Sequence, residues 1–374
     1  MREVEIAVVG GGAAGLSAAI EAAQAGAQVV LIDENERPGG QLFKQIHKFF
    51  GSEAHRAGVR GFRIGEELLT GAEKAGVETL LSTVVYGIFI ADGDKKLGLI
   101  RQERTELLGA QIVILATGAS ENALAFPGWT LPGVMGAGAA QTLINIHRVL
   151  PGRKVLMVGA GNVGLIVAYQ LLQAGAEVVA IVEAMPHIGG YGVHASKIRR
   201  AGVPILTSHT ILRAEGEEGV ARAVVAAVDE NWQPIPGREK VFEVDTICLA
   251  VGLSPLAELA WMAGCRFAYL PELGGFVPLH NEDMESTLPG VYVAGDLAGI
   301  EEASTAMEEG RLAGIAAAQA LGYLSPEEAG RKKAEVRRRL ADLRLGSFGQ
   351  ARAEAKERIV AQFKAARAAQ MEAR

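Results

Sequence analysis

Two sets of glycines, each followed by a strand ending on an acid, carry the chemical potential of this chain. Gly10, Gly12 and Gly15 follow the apolar run 6–9, and Asp33-Glu34 closes a second β-forming run, 28–32. Gly159, Gly161 and Gly164 repeat that spacing after residues 154–158, and Glu183 closes the run 177–182. In such a unit the first glycine allows a tight strand-to-helix turn. The second removes a side chain that would block a pyrophosphate, and the third lets helix and strand pack closely. Phosphates then meet N–H groups at a helix start, where the backbone dipole favours anions. Ala13 and Ala14 in the first motif, and Asn162 and Val163 in the second, fall at that start. The terminal acid accepts from a ribose hydroxyl, Asp33 being better placed than Glu34.

Those glycines and acids need strands and helices to position them, and the pattern supplies both. Each motif lies in a β-turn-α-β unit, a stronger signal than the glycines alone in a chain with 47 of them. Two bland alternatives stand beside it: glycines that serve only a tight turn, and a second fold emptied of its ligand. Glu183 is followed by Ala184-Met185-Pro186, with no Arg or Lys to hold a 2′-phosphate, which favours NAD over NADP.

Further stretches fit a dinucleotide frame. The loop Gly39-Gly40-Gln41 can bring backbone close to a flat ligand. Strand-like runs end on small residues at Ala116-Thr117-Gly118 and at Gly252, and another ends on Gly295-Asp296 just before a helix across 304–310. Residues 43–63 mix aromatic, basic and His residues with little periodicity, reading either as a loop lining the ligand or as a solvated excursion.

The chain has 374 residues, 49% apolar and 21% charged, enough for two domains with sizeable cores. No apolar run approaches the roughly 18 residues that cross a bilayer, and no basic leader precedes the first strand. A cytoplasmic protein with neither membrane insertion nor a nucleic-acid partner is expected. The two cysteines, Cys248 and Cys265, form no metal or redox spacing, so no metal site is expected either. The net charge of −6 is uneven: residues 323–374 carry 13 Lys/Arg against 7 Asp/Glu. That segment starts with the N-cap-like Ser325-Pro326-Glu327-Glu328 and breaks across 345–349. Leu340, Leu343, Ile359, Val360 and Phe363 give it an apolar edge, to be covered by its own body or by a partner subunit.

The order of these markers resembles the two-dinucleotide-binding-domain flavoproteins of the pyridine nucleotide–disulfide oxidoreductase superfamily, over residues 1–322. A closer likeness lies in residues 126–135 with Ala139-Ala140-Gln141-Thr142. These look like the α-type subunits of opine oxidase, heterotetrameric sarcosine oxidase, hydrogen cyanide synthase and dye-linked L-proline dehydrogenase. The resemblance implies an α/β fold of two Rossmann-like, three-layer domains with a C-terminal helical tail. The FAD domain would comprise 1–120 and 253–322, the inserted NAD domain 121–252, and the tail 323–374.

It also implies FAD and NAD(H) as cofactors and hydride transfer between them. Gly10, Gly12, Gly15, Asp33, Gly40, Gln41, Thr117 and Asp296 would contact FAD, with Lys44 and His47 as flavin-side polar candidates. Gly159, Gly161, Gly164 and Glu183 would contact NAD. As an oligomer's α-type subunit, the chain would pair with an amine-oxidising flavoprotein and with iron–sulfur subunits, meeting them through 323–374. The alternative is a nucleotide-holding relay or structural subunit whose partner oxidises the substrate. Disulfide reductases carry a flavin-adjacent Cys pair; with no CxxC here, thiol–disulfide chemistry is excluded.

Overall fold

The computed structural model describes residues 2–49, 52–346 and 349–372. The chain forms two compact units, Met1–Ser120 with Ser254–Arg374, and Glu121–Leu253.

In the first unit, Arg2–Val9 lies between Val29–Ile32 and Arg104–Leu115, all three parallel. Glu78–Leu80 extends the sheet beyond Val29–Ile32. The other edge of Arg104–Leu115 is shared. Its first part pairs antiparallel with Asp94–Arg101, which pairs with Thr83–Ala91; its last three residues pair parallel with Val291–Val293. Ile6, Ala7 and Val8 are all fully buried, because helices cover a parallel sheet and its strands become continuous apolar runs. Helices Ala13–Gln24 and Ala303–Ala320 cross without room for a side chain. A methyl on Gly310 would strike the Ala14 carbonyl, and one on Gly314 the Ala18 carbonyl.

The described residues of 323–374 fold onto this unit. Helix Pro326–Leu343 opens with a capping box, in which Ser325 Oγ accepts the Glu328 amide at 3.2 Å and Glu328 Oε2 accepts the Ser325 amide at 3.3 Å. Val336 and Leu340 join the main core. Helix Gln350–Glu372 buries Ala355, Ile359, Phe363 and Ala366, one helical stripe, with Leu270, Leu273 and Val277 beside the hairpin Phe267–Leu270/Gly275–Pro278. Each large apolar side chain buried there contributes roughly 1.5–3 kcal/mol. Of the expected break across 345–349, Ser347 and Phe348 lie outside the described residues.

The second unit repeats the plan. Its parallel sheet runs Ile205–Thr207, Glu177–Glu183, Lys154–Val158, Thr246–Leu249, Val134–Gly136. A separate antiparallel sheet holds His209–Glu215, Arg222–Val228 and Pro234–Glu243. The turn between the last two strands contains Trp232 at φ 65°. Among the described residues no helix is long and apolar enough to cross a membrane.

Candidate nucleotide-binding sites

The first glycine motif sits where Arg2–Val9 gives way to helix Ala13–Gln24. Its three glycines have different reasons to be glycine. Gly10 has φ 100°, and a methyl on it would collide with the Ala116 carbonyl; a methyl on Gly15 would collide with the Gly10 carbonyl. Those two are required by the fold. Gly12, the N-cap, faces open space, with nothing within 4 Å of where a methyl would stand. Packing therefore gives no reason for glycine there, whereas a pyrophosphate does. No side chain caps this helix, so its first amides are left for an anion.

Asp33, 7% exposed at the end of Val29–Ile32, is turned toward this loop. Its Oδ2 accepts the Gly11 amide at 2.6 Å, while Oδ1 accepts the Asn35 amide at 2.8 Å. Glu34 is exposed. The Gly39-Gly40 pair folds back over the motif: the Gly39 amide donates to the Gly11 carbonyl at 2.6 Å, and a methyl on Gly40 would stand 2.9 Å from Gly12 Cα. Phe43 fills the space under Gly39, with the Arg37 guanidinium 3.7 Å from its ring centre. Gly40 and Gln41 open the short helical turn Gly40–Lys44 and are exposed.

The stretch that follows is partly packed and partly solvated, with Ser52, Glu53, Ala54, Arg56, Ala57, Gly58 and Arg60 exposed. Leu42, Phe49, Ile64 and Met307 form a small core of their own, and His55 is buried with Nδ1 3.0 Å from Ser52 Oγ. Lys44 and His47 are half-buried, His47 stacked on Phe49 with ring centres 5.8 Å apart.

Two more strand ends reach the same unit's site. Ala116 donates its amide to the Val9 carbonyl at 2.8 Å, and Thr117 Oγ1 donates to the Leu256 carbonyl at 2.6 Å. Gly118 follows at φ 79°. Gly295, at φ 71°, starts the short turn Gly295–Ala298, and a methyl there would stand 2.8 Å from Ala14 Cβ, at the start of the first motif's helix. Asp296 on that turn is half-buried. Burial pushes its carboxyl up to about 6 against a bond from the Glu301 backbone, with Glu309 adding to the rise and Lys356 opposing it.

The second unit carries the same arrangement. A methyl on Gly159 would collide with the Ala250 carbonyl, one on Gly164 with the Gly159 carbonyl, and one on Gly161 would meet nothing within 4 Å. Glu183 Oε2 accepts the Ala160 amide at 2.8 Å and Oε1 accepts the Met185 amide at 3.0 Å, the same two-pronged hold as Asp33. Helix Asn162–Gln173 starts without a side-chain cap. Asn162 Oδ1 accepts the Tyr191 amide at 2.8 Å, and Val163 is 39% exposed. Gly252, at φ 112°, accepts the Asn122 amide at 3.0 Å.

Sequence reasoning missed Gly189-Gly190. The Gly190 amide donates to the Ala160 carbonyl at 3.0 Å, and a methyl on it would stand 2.8 Å from the Asn162 amide nitrogen. This pair closes over the second motif as Gly39-Gly40 closes over the first. The signal was present, since each pair lies the same distance beyond its acid. Glu309 and Lys356, buried beside the Gly295–Ala298 turn, and the half-buried Arg344 paired to Glu309 left no such signal.

Comparison with known proteins gives the chain's family and fold. The family model described as pyridine nucleotide-disulphide oxidoreductase matches residues 4–310. An opine oxidase subunit of Agrobacterium tumefaciens (strain Ach5) is 30% identical over 346 residues, covering 86% of this chain and 67% of that protein. The hydrogen cyanide synthase subunit HcnB of Pseudomonas aeruginosa is 30% identical over 341 residues, covering 86% of this chain and 72% of that one. The chain thus spans about two-thirds of these relatives' length. The T. acidophilum thioredoxin reductase structure superposes with a TM-score of 0.72 over 86% of this chain and 99% of that one, at 20% identity, a likeness of fold.

Proposed function

The chain belongs to the pyridine nucleotide-disulphide oxidoreductase family, and from that premise we propose that it is an FAD-dependent, NAD-linked oxidoreductase. One observation carries the reading. In both units the middle glycine of the motif faces open space while an acid pins the loop beside it. That is the arrangement a dinucleotide fits and packing alone does not require.

FAD belongs in the unit built from both ends of the chain. There Gly10, Gly12, Ala13, Ala14 and Gly15 would hold the pyrophosphate and Asp33 the ribose. Gly39, Gly40, Gln41 and the Ala116-Thr117-Gly118 segment would lie along the ligand, and Asp296 would accept from the ribityl hydroxyls. NAD(H) belongs in Glu121–Leu253, with Gly159, Gly161, Asn162, Val163 and Gly164 on the phosphates and Glu183 on the ribose. Bound flavin and nicotinamide supply hydride acceptance and donation themselves. The residues bind, orient and exclude water, and hydride transfer needs no acid or base from them. Lys44 and His47 serve as polar contacts on the flavin side.

A thiol relay has no support. Cys248 and Cys265 are both buried, and burial pushes both thiols up, Cys248 to about 12. Electrons would therefore pass between the flavin and a partner. The likeness to subunits of opine oxidase and hydrogen cyanide synthase supports an α-type subunit of a heteromeric amine or imino-acid dehydrogenase of the sarcosine, proline or opine type. A flavoprotein and iron–sulfur subunits would complete it. The apolar edge of 323–374 is occupied by the chain's own unit, so that segment would meet a partner through its charged face.

Anaerobic titration of the FAD-loaded chain with NADH tests the reading: the visible flavin band bleaches stoichiometrically. FAD that stays oxidised under NADH, yet is reduced once a partner and an amine are added, supports the relay alternative. A chain that takes up no FAD overturns both.

A further inference from the structure

Asp296 is presented by a turn whose two ends are held by one ion pair. At its start, the Gly295 amide donates to Glu309 Oε2 at 3.1 Å. At its end, the Ala298 carbonyl accepts from Lys356 Nζ at 2.9 Å. Lys356 Nζ also donates to Glu309 Oε1 at 2.6 Å, closing the loop of contacts. Arg344 adds a second cation to Glu309 Oε1 at 2.7 Å and grips Glu301 with two bonds of 2.6 and 3.0 Å. Glu309 is 2% exposed and Lys356 6%.

The turn has one backbone hydrogen bond of its own, from the Gly299 amide to the Asp296 carbonyl at 3.1 Å. It is bounded by Gly295 at φ 71° and Gly299 at φ 135°, where the absence of Cβ leaves the backbone free to rotate. Contacts from outside the turn add to that single bond at its two ends. A buried charge cluster suits that task, since each member becomes costly once its partner is withdrawn. Removing the Lys356 ammonium leaves the Ala298 carbonyl without this donor and Glu309 with Arg344 as its remaining cation.

We propose that Lys356 is a positioning residue of the FAD site, holding through Glu309 and the Ala298 carbonyl the turn that sets Asp296 against the ribityl chain. The inference rests on the FAD reading given above. It makes helix Gln350–Glu372, which the sequence presents as part of a charged tail, a component of the cofactor site.

The test compares Lys356→Met and Lys356→Arg with Lys364→Met, which removes a cation on the same helix paired to exposed Glu282. FAD affinity is read by flavin fluorescence, and ribityl and ring geometry by the visible circular dichroism of bound flavin. Lys356→Met weakens FAD binding by about tenfold or more, as expected for losing charge-assisted bonds, and alters the dichroism. Lys356→Arg restores most of both, and Lys364→Met changes neither.

Should Lys356→Met fail to fold, hydrogen exchange on the wild-type chain decides. FAD then slows exchange in residues 295–299 and 352–360 together; protection confined to 295–299 overturns the proposal. Tight wild-type binding that a folded Lys356→Met leaves unchanged overturns the role of Lys356 alone. A wild-type chain that takes up no FAD overturns the FAD reading, and this inference with it.

Discussion

Asp33 and Gly11 meet through a 2.6 Å hydrogen bond, the buried carboxylate accepting a loop amide from 22 positions earlier. The strand-end acid thereby fixes the glycine loop, and under the proposed function its remaining lone pairs would accept from a ribose. Asp33→Asn keeps an acceptor in place but loses the charge that strengthens it. It is expected to weaken FAD binding by about tenfold, with Asp33→Ala weaker still. Flavin fluorescence titration measures both, and equal affinity in Asp33→Ala and wild type would show that the acid serves the loop alone.

The three glycines of the first motif should separate stability from binding. Gly12→Ala places a methyl in open space at an ordinary φ of −77°, so the melting temperature holds while FAD affinity falls about tenfold or more. Gly15→Ala drives a methyl into the Gly10 carbonyl and should cost about 3 kcal/mol of stability. Thermal denaturation and FAD titration, run on both variants, check the split.

The second unit should behave independently. Gly161→Ala and Glu183→Ala are expected to leave FAD content and affinity at wild-type values. The NADH concentration needed for half-maximal flavin reduction rises about tenfold in each. Stopped-flow anaerobic reduction reads this directly, and a loss of bound FAD in either variant would contradict the assignment of NAD to residues 121–253.

His280 gives a pH signature. It is 3% exposed, its Nδ1 bonds the Asn281 carbonyl at 2.9 Å, and its Nε2 has no hydrogen-bond partner among the described residues. Burial, with Lys356 adding to it, pushes the ring down to about 3 from its ordinary 6.5. Its folded pKa is depressed, so the stability it provides is present above pH 6.5 and is lost as pH falls toward 3. Across that window unfolding takes up one proton at this ring, a slope of about 1.4 kcal/mol per pH unit. Asp296, raised by burial, works in the opposite sense between about 6 and its ordinary 3.8. Urea unfolding of His280→Gln between pH 4 and 6.5 should show a slope smaller by about that amount than wild type, with the Asp296 contribution common to both.

Local spacing made the two βαβ units, their terminal acids and the duplication legible before any coordinates. Apolar periodicity, a left-handed glycine and a carboxylate one strand later all act within about thirty residues. Ser325 capping Glu328 was readable for the same reason. Even Gly189-Gly190 stood in the text, at the offset from Glu183 that separates Gly39-Gly40 from Asp33. Which glycines serve the fold and which leave room for a ligand was not readable. That depends on whether a carbonyl from another strand, Ala116 for Gly10 or Ala250 for Gly159, stands against the site. Nor was the division of one strand's edge between Asp94–Arg101 and Val291–Val293. The hold of Lys356 on Ala298, 58 positions earlier, belongs to the tertiary structure entirely. Any of 13 cations in residues 323–374 has the right charge for Glu309, and only helix packing, which buries Ile359 and Phe363, selects the ones that reach it.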